Sequence, residues 1–276
     1  MNSKRGILQK LMAAPYLVWM VVFIVVPLIM VAYFAFFGDD GRFTLEYIKS
    51  VGQYGGIFAR SVWLSAIATV ICLIIGYPIA FILSRMNVKT QSTMLMIVIL
   101  PMWINFLLRT YAWMTLLGNE GIINTLLGFI GLGPFKMLNT QGAVVLGMVY
   151  NYLPYMILPI YSVMVKIDNS ILEAASDLGA NKFSAMLKVV VPLSLPGIMS
   201  GITMVFVPAI STFIISRMLG GGGNLLIGDL IEMQFLGTAY NPNLGAAISL
   251  VLMVIVLIIM TVMNQFDSND DDRVLL

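Results

Sequence analysis

The side chains able to do chemistry in this chain are few, and their spacing narrows what they can do. There is no histidine among the 276 residues, so imidazole serves neither as acid–base group nor as metal ligand. Cys72 is the single cysteine and lies between Ile71 and Leu73, which leaves packing as its role and excludes an internal disulfide or a cysteine metal cluster. No G-x-x-x-x-G-K-[S/T] occurs; Gly220 to Gly223 run into Asn224 and Leu225, so nucleotide phosphates have no cradle here. The chain is therefore expected to be no enzyme and to bind no cofactor or metal itself. What remains are groups that bind and stack. Asn105, Arg109 and Trp113 recur at i, i+4 and i+8, one helix face, with Trp103 and Tyr111 off it. Asn151 and Tyr155 share another face, with Tyr152 beside them, and Asp229 and Glu232 stand three apart.

The elements that must hold these residues follow from composition. Hydrophobic residues make up 60% of the chain and charged ones 10%, with a mean hydropathy of +0.96. Soluble domains run at about 45–50% apolar and about 25% charged, so the solvent here is largely lipid. The net charge of +2 gives no reason to expect nucleic acid. Crossing a bilayer takes about 20 apolar residues as a helix, the form that satisfies its own backbone. Apolar stretches near 14–37, 60–84, 93–117, 143–166, 197–219 and 244–264 meet that length, the third carrying Arg109. The fold class expected is all-α, a polytopic membrane protein with six transmembrane helices over 14–266. Residues 1–13 form an N-terminal segment and 267–276 an acidic tail.

Six crossings put both termini on one side. Lys4, Arg5, Lys10, Arg85, Lys89, Lys166, Lys182, Lys188 and Arg273 lie on the N-terminal side, against Arg42, Lys49, Arg60, Lys136 and Arg217 opposite. That excess places both termini in the cytoplasm. The first span is too long for a signal h-region and lacks a small-residue cleavage site, so it is expected to stay. Outside, 38–59 reads as a polar hairpin or short helix. Within 118–142, Ile122 to Ile130 is too short to cross and is expected at the interface; 220–243 carries the short amphipathic piece LLIGDLIEMQFL.

Inside, 167–196 is the long loop, with DNSILEAASDLGANKFSAMLKVVVPLSLP from Asp168. Ser170 followed by Glu173 reads as a capping box starting a helix at 170. Ile171, Leu172, Ala175 and Leu178 form an apolar stripe, Gly179 sits where that helix stops, and Asn181 can cap a second helix. Pro192 and Pro196 are expected to separate the second helix from span five.

Glu173-Ala174-Ala175, three residues, Gly179, nine residues, then Val189-Val190-Val191-Pro192 resembles the EAA loop of permease subunits of bacterial ABC importers. Val189 and Val191 stand where that pattern has Ile and Leu. The resemblance implies a MetI-like permease fold in the inner membrane, and a coupling helix that docks in a groove of an ATP-hydrolysing partner. On that reading Ala174 and Ala175 permit close approach, Gly179 makes the turn, Pro192 closes the motif, and Glu173 and Asp177 pair with basic residues. The stretches LPMWINFLLRTYAW (100–113), LPYMILPIYS (153–162), LEAASDLGANK (172–182) and NLLIGDLIEMQFL (224–236) are similar to the PotB-type permeases of spermidine/putrescine importers. That implies a PotA-like ATPase in two copies using ATP and Mg, a PotC-like second permease, and a PotD-like extracytoplasmic binding protein received by the outer loops.

A polyamine path would offer aromatic faces, amide oxygens and a few acids, which makes Trp103, Asn105, Trp113, Asn151, Tyr152, Tyr155, Asp229 and Glu232 its candidates. For the tryptophans interfacial anchoring is the alternative, for the tyrosines packing, and for Asp229 with Glu232 a solvated face. Arg109 would repel a cation and reads as pairing with carbonyls or an acid of the second permease. No acid lies within a span, so polyamine cargo follows from the resemblance alone. A permease for iron, thiamine, sulfate or a similar solute, and a self-sufficient secondary transporter, are the other readings. The missing intramembrane acids and the EAA loop speak against the last.

Overall fold

The structure, a computed structural model, describes residues 15–38, 40–237 and 239–271. The N-terminal segment 1–13 and the end of the acidic tail lie outside them. The regular structure of the described residues is helical apart from one antiparallel bridge between Phe37 and Phe43. Five helices are long and apolar enough to cross a membrane: Pro15–Phe36, Glu46–Ser84, Gln141–Met164, Lys182–Ser211 and Pro242–Met263. A sixth candidate is a pair, Val88–Trp103 with Phe106–Phe129, bent by 87°.

Residues divide into two compact units. The first joins the described residues up to Gly55 with Leu230–Ile255. It begins with α1 (Pro15–Phe36), apolar on every side and mostly exposed, with Ala35 its buried residue, as suits a helix facing lipid or another subunit. The Phe37–Phe43 bridge then leads to α2 (Glu46–Ser50) and a 3-10 turn at Val51–Tyr54, so the segment after span one is both hairpin and short helix.

The second unit holds Gly56–Asp229 and the residues from Val256. Its elements are α3 (Gly55–Ser84), α4 (Val88–Trp103), α5 (Phe106–Leu117), α6 (Ile122–Phe129), α7 (Gln141–Met164), α8 (Asn169–Asp177), α9 (Lys182–Ser211) and α10 (Ile214–Gly220), followed by the start of α11 (Ile227–Leu236). α12 (Pro242–Asp271) runs on through residues expected to belong to the acidic tail.

The core of this unit is α7, and small residues bring its neighbours against it. Gly197 and Gly201, four apart on α9, face α7 so closely that a Cβ on Gly197 would stand 2.9 Å from Pro159 O. Without a hydrophobic drive between helices in lipid, such small-residue contacts supply the packing. Gly76 of α3 meets the Met156 side chain, which also reaches Gly201, so Met156 fills the seam between three helices. Gly147 receives Ile215 and Leu219 of α10.

Three expectations from the sequence are corrected. The third crossing is not one straight helix over 93–117: Ile104 and Asn105 both take extended ψ angles of 139° and 131°, and Asn105 Oδ1 accepts from Leu107 N as the cap of α5. α4 alone is about 24 Å long at 1.5 Å per residue, short of the hydrocarbon thickness. The fifth crossing starts at Lys182 rather than 197 and ends at Ser211, and α10 follows after Thr212 and Phe213. Pro192 and Pro196 therefore do not separate the second loop helix from it. A π-helical turn at Met186–Val190 widens the backbone just ahead of Pro192, making room for a ring that lacks an N–H. The same device stands in α1, where a π turn at Val21–Val25 precedes Pro27.

Candidate functional site

The 167–196 loop folds as helix, turn, helix, with a different first cap from the one its spacing predicts. Asp168, extended at φ −62° and ψ 143°, accepts from Ser170 N at 2.9 Å, so α8 starts at Asn169 and Ser170 with Glu173 is no capping box. The backbone and hydroxyl of Ser170, then Asn169 and the Arg85 guanidinium, hold the Asp168 carboxyl below its ordinary value. At the other end Gly179 takes φ +80°, its N–H bonding Ser176 O at 2.9 Å while Ala180 N bonds Ala175 O at 3.0 Å. These two bonds form a Schellman turn, which closes α8 with a left-handed residue. Asn181 Oδ1 then accepts from Ser184 N at 2.7 Å and caps α9, as its position predicts.

This places the loop residues for contact. Glu173, Ala174, Asp177, Gly179 and Pro192 are exposed and Ala175 is half-buried. The apolar stripe divides: Leu172 packs against the core, whereas Leu178 is 90% exposed and Ile171 40%. On α9, Phe183 adds a further apolar side chain, 73% exposed. Glu173 and Asp177 line a cavity of about 460 Å³ together with Leu172, Lys182 and Met186.

The sequence did not single out what holds the loop to the membrane helices. Arg85, just past the end of α3, donates from Nη1 to Ile167 O at 2.9 Å and to Asn169 Oδ1. Its guanidinium also lies 5.6 Å from the Phe81 ring centroid, and burial lowers its pKa against the opposing pull of Asp168. A cation ending a span reads as a topology marker; its partners come from a distant segment and leave no local signal.

The residues proposed for a path fall into separate places. On α7, Asn151 and Tyr152 are buried and Tyr155 is exposed, the two tyrosine rings 6.4 Å apart. Tyr152 donates to Pro208 O at 3.3 Å, in the last turn of α9 before its break at Thr212. Asn151 Nδ2 donates to Gly147 O at 2.8 Å, while its Oδ1 is buried with no partner among the described residues. Trp113 packs edge-to-face on Tyr150 at 5.4 Å, which joins α5 to α7. Arg109 keeps its place one turn from Trp113, 5.9 Å from the Phe106 centroid, with Nε and Nη1 buried and unpartnered among the described residues. Asn105 leaves that face, since its side chain turns back to cap α5. Trp103 ends α4 and is 85% exposed.

Asp229 is fully buried rather than on a solvated face, and Glu232 is half-buried. Asp229 Oδ2 accepts from Leu226 N at 2.9 Å, and Ile227 N is satisfied by Ser61 Oγ of α3 at 2.9 Å. Gly228 packs so closely on the broken end of α9 that a Cβ there would stand 2.4 Å from Ser211 O. The LLIGDLI stretch thus seats the start of α11 against α3 and the α9 break. Among the described residues no group of three or more His, Cys, Asp or Glu could hold a metal.

In the larger unit, helices packed by glycines on α7 and a capped helix–turn–helix with the EAA spacing are features expected of a permease subunit. Residues 73–268 match the family described as binding-protein-dependent transport system inner membrane component, and the chain belongs to that family. Over 264 residues it is 39% identical to the spermidine/putrescine transport system permease protein PotB of Haemophilus influenzae, covering 92% of each chain. It is 36% identical to the protein of the same name in Escherichia coli K12, over 86% of this chain and 90% of that one. The inner membrane ABC transporter permease protein YdcU of E. coli K12 is 28% identical over 78% of this chain and 72% of its own. In fold the chain is similar to one from a bacterial ABC transporter importing the acidic polysaccharide alginate, with a TM-score of 0.82, 18% identity and 96% of both chains covered. A chain of the MetNI methionine ABC transporter gives 0.57 at 17% identity, over 80% of this chain and 98% of that one. The protein is thus a multi-pass inner-membrane permease of an ABC importer, a class that works with a separate ATP-hydrolysing subunit, a second permease and a binding protein.

Proposed function

We propose that this permease carries spermidine and putrescine, forming half of their path beside a PotC-like second permease. Two PotA-like ATPase copies below and a PotD-like binding protein outside complete the importer. The observation carrying the cargo is the 39% identity, over 92% of both chains, to a permease named for spermidine and putrescine. The alginate and methionine relatives, at 18% and 17% identity, speak for the fold alone.

In the mechanism, the 168–191 loop is pushed as the ATPase subunits close on ATP, and the helices rock between outward and inward openings. Glu173, Ala174, Ala175, Asp177 and the Gly179 turn form the docking helix, and Pro192 starts the membrane part of α9. Their exposure and the two-ended capping of α8 support this, since a lever must be both accessible and stiff. Both termini lie in the cytoplasm, on the Lys and Arg distribution.

The path runs along α7 beside the α9 break. Asn151 Oδ1 and the Tyr152 and Tyr155 rings supply an acceptor and the π faces that ammonium groups need. Trp103, Asn105 and Trp113 belong to its flank and Asp229 with Glu232 to its outer end, on sequence position. Arg109 pairs with a carboxylate or carbonyls of the second permease, which its unpartnered buried nitrogens support. The test is uptake of labelled spermidine by the reconstituted importer with and without excess putrescine. Concentrative uptake reduced by the competitor is the expected result; ATP-driven uptake of a different solute, with none of spermidine, would overturn the cargo.

A further inference from the structure

The cytoplasmic ends of three membrane helices are hydrogen-bonded into one block, and Arg85 ties the docking helix to it. The turn Ser84–Asn87 between α3 and α4 is closed by Arg85 N on Ile82 O at 3.2 Å and Met86 N on Leu83 O at 3.3 Å. Gln91 of α4 reaches back into it, its Nε2 donating to Ser84 O at 3.2 Å and Met86 O at 2.8 Å. The same amide's Oε1 accepts from Tyr161 OH of α7 at 3.1 Å. So α3, α4 and α7 cannot shift singly at this end without breaking side-chain bonds. From the middle of that block the Arg85 guanidinium grips the first residues of the loop, through Ile167 O and Asn169 Oδ1, with Asp168 beside it and Phe81 under it.

We propose that Arg85 is the positioning residue that carries movement of the 168–191 loop into α3 and α4. This rests on the reading of that loop as the ATPase-coupling element. Two connections leave α8. One is the Gly179 turn into α9, which meets α7 by glycine packing and α3 through a hydroxyl contact, Tyr77 OH with Ser194 Oγ at 3.1 Å. The other is the chain from Val165 to Asp168, which leads back to α7 through a single turn bonded by Lys166 N to Val163 O and Ile167 N to Met164 O. Such a turn bends. With Arg85 in place, a push on α8 acts on the α3–α4 turn directly and recruits the remaining helices of the block together. Without it, α8 swings about residues 165–168 and the α3–α4 turn receives the push only indirectly, through α9. Both bonds leave one nitrogen, Nη1, so an ammonium on a lysine stem can restore part of the contact, without the reach of the guanidinium or its place over Phe81.

The experiment measures solute imported per ATP hydrolysed by the complete importer in proteoliposomes, together with the amount of ATPase subunit that copurifies. For Arg85→Ala the ratio is expected to fall by about fivefold or more with ATPase binding retained, the size of an ordinary coupling between sites. Arg85→Lys should recover part of it, and Asn169→Ala, which removes one of the two acceptors, should give an intermediate loss. A ratio unchanged in Arg85→Ala, or import and hydrolysis falling in equal proportion, would overturn the assignment. If Arg85→Ala does not assemble, Asn169→Ala decides, and an unchanged ratio there overturns it. Gly179→Val separates the two levels. Normal coupling in that variant removes the loop reading itself, whereas loss of coupling there with a normal Arg85→Ala removes only the role of Arg85.

Discussion

The turn at Gly179 gives the sharpest test of the coupling loop, because its requirement is purely conformational. At φ +80° no atom lies within 4 Å of where a Cβ would stand, so a side chain there meets no neighbour and only backbone strain counts. Left-handed geometry costs an L-residue about 1–2 kcal/mol, less for Asn and more for a β-branched residue. One to two kcal/mol is a factor of about 5–30 in the population of the closed turn. Coupling should therefore fall in the order Gly, Asn, Ala, Val, with Gly179→Asn near the wild type and Gly179→Val abolishing ATP hydrolysis stimulated by the binding protein. Membrane insertion should be unaffected, since the position is exposed and outside the spans. The assay is stimulated hydrolysis and import by the reconstituted complex, beside the yield of inserted permease. Equal impairment in Asn and Val variants, or full coupling in Gly179→Val, would refute the reasoning.

Further expectations concern packing and charge. Gly197→Ala should lower the thermal midpoint in detergent more than Gly201→Ala, because its Cβ meets backbone at Pro159 O and Ile160 Cα, whereas the nearest atom to Gly201 is the flexible Met156 Sδ; the first should cost about 1–3 kcal/mol. Ser61→Ala strands the buried Ile227 N–H and should cost about 1–3 kcal/mol in the same measurement, and Gly228→Ala should be worse still, with carbonyl oxygens of Ser211 and Thr212 at 2.4 and 2.5 Å from the new Cβ. The Asp168 carboxyl is held below its ordinary 3.8, so its stabilisation of α8 is complete above 3.8 and is lost as pH falls through the lower folded value. Coupling should accordingly show no titration from this group between about pH 6 and 8. Asp168→Asn should keep protection of the Ser170 amide in hydrogen exchange, which Asp168→Ala should lose.

Five crossings, short helices between them and the helix–turn–helix of the loop were legible in the sequence. Apolar run length, Gly179 and Asn181 are local signals, and lipid permits few alternatives to a helix. The EAA pattern identified the permease class for the same reason: its residues are contiguous and their spacing survives without a fold. Where a local rule failed, a competing local group won. Asp168 took the cap that the spacing assigned to Ser170, and Asn105 broke the third crossing by capping α5 instead of lining a face. The π turn before Pro192 kept α9 whole where proline was expected to end it.

Other features required residues far apart in the chain to meet, and no periodicity encodes that. Asp229, a surface acid by composition, is buried because Leu226, Ile227 and Gly228 are drawn against Ser61 and the broken end of α9. Arg85, a topology marker by position, is a clamp because Ile167 and Asn169 return beneath it after eighty residues of chain. Composition and short spacing thus determined that this chain lives in a membrane and belongs to a permease class that works with a separate ATP-hydrolysing subunit. Which side chains tie distant segments together and which only pack was decided by the tertiary structure, since a hydrogen bond depends on the meeting of two partners and only the fold brings them together.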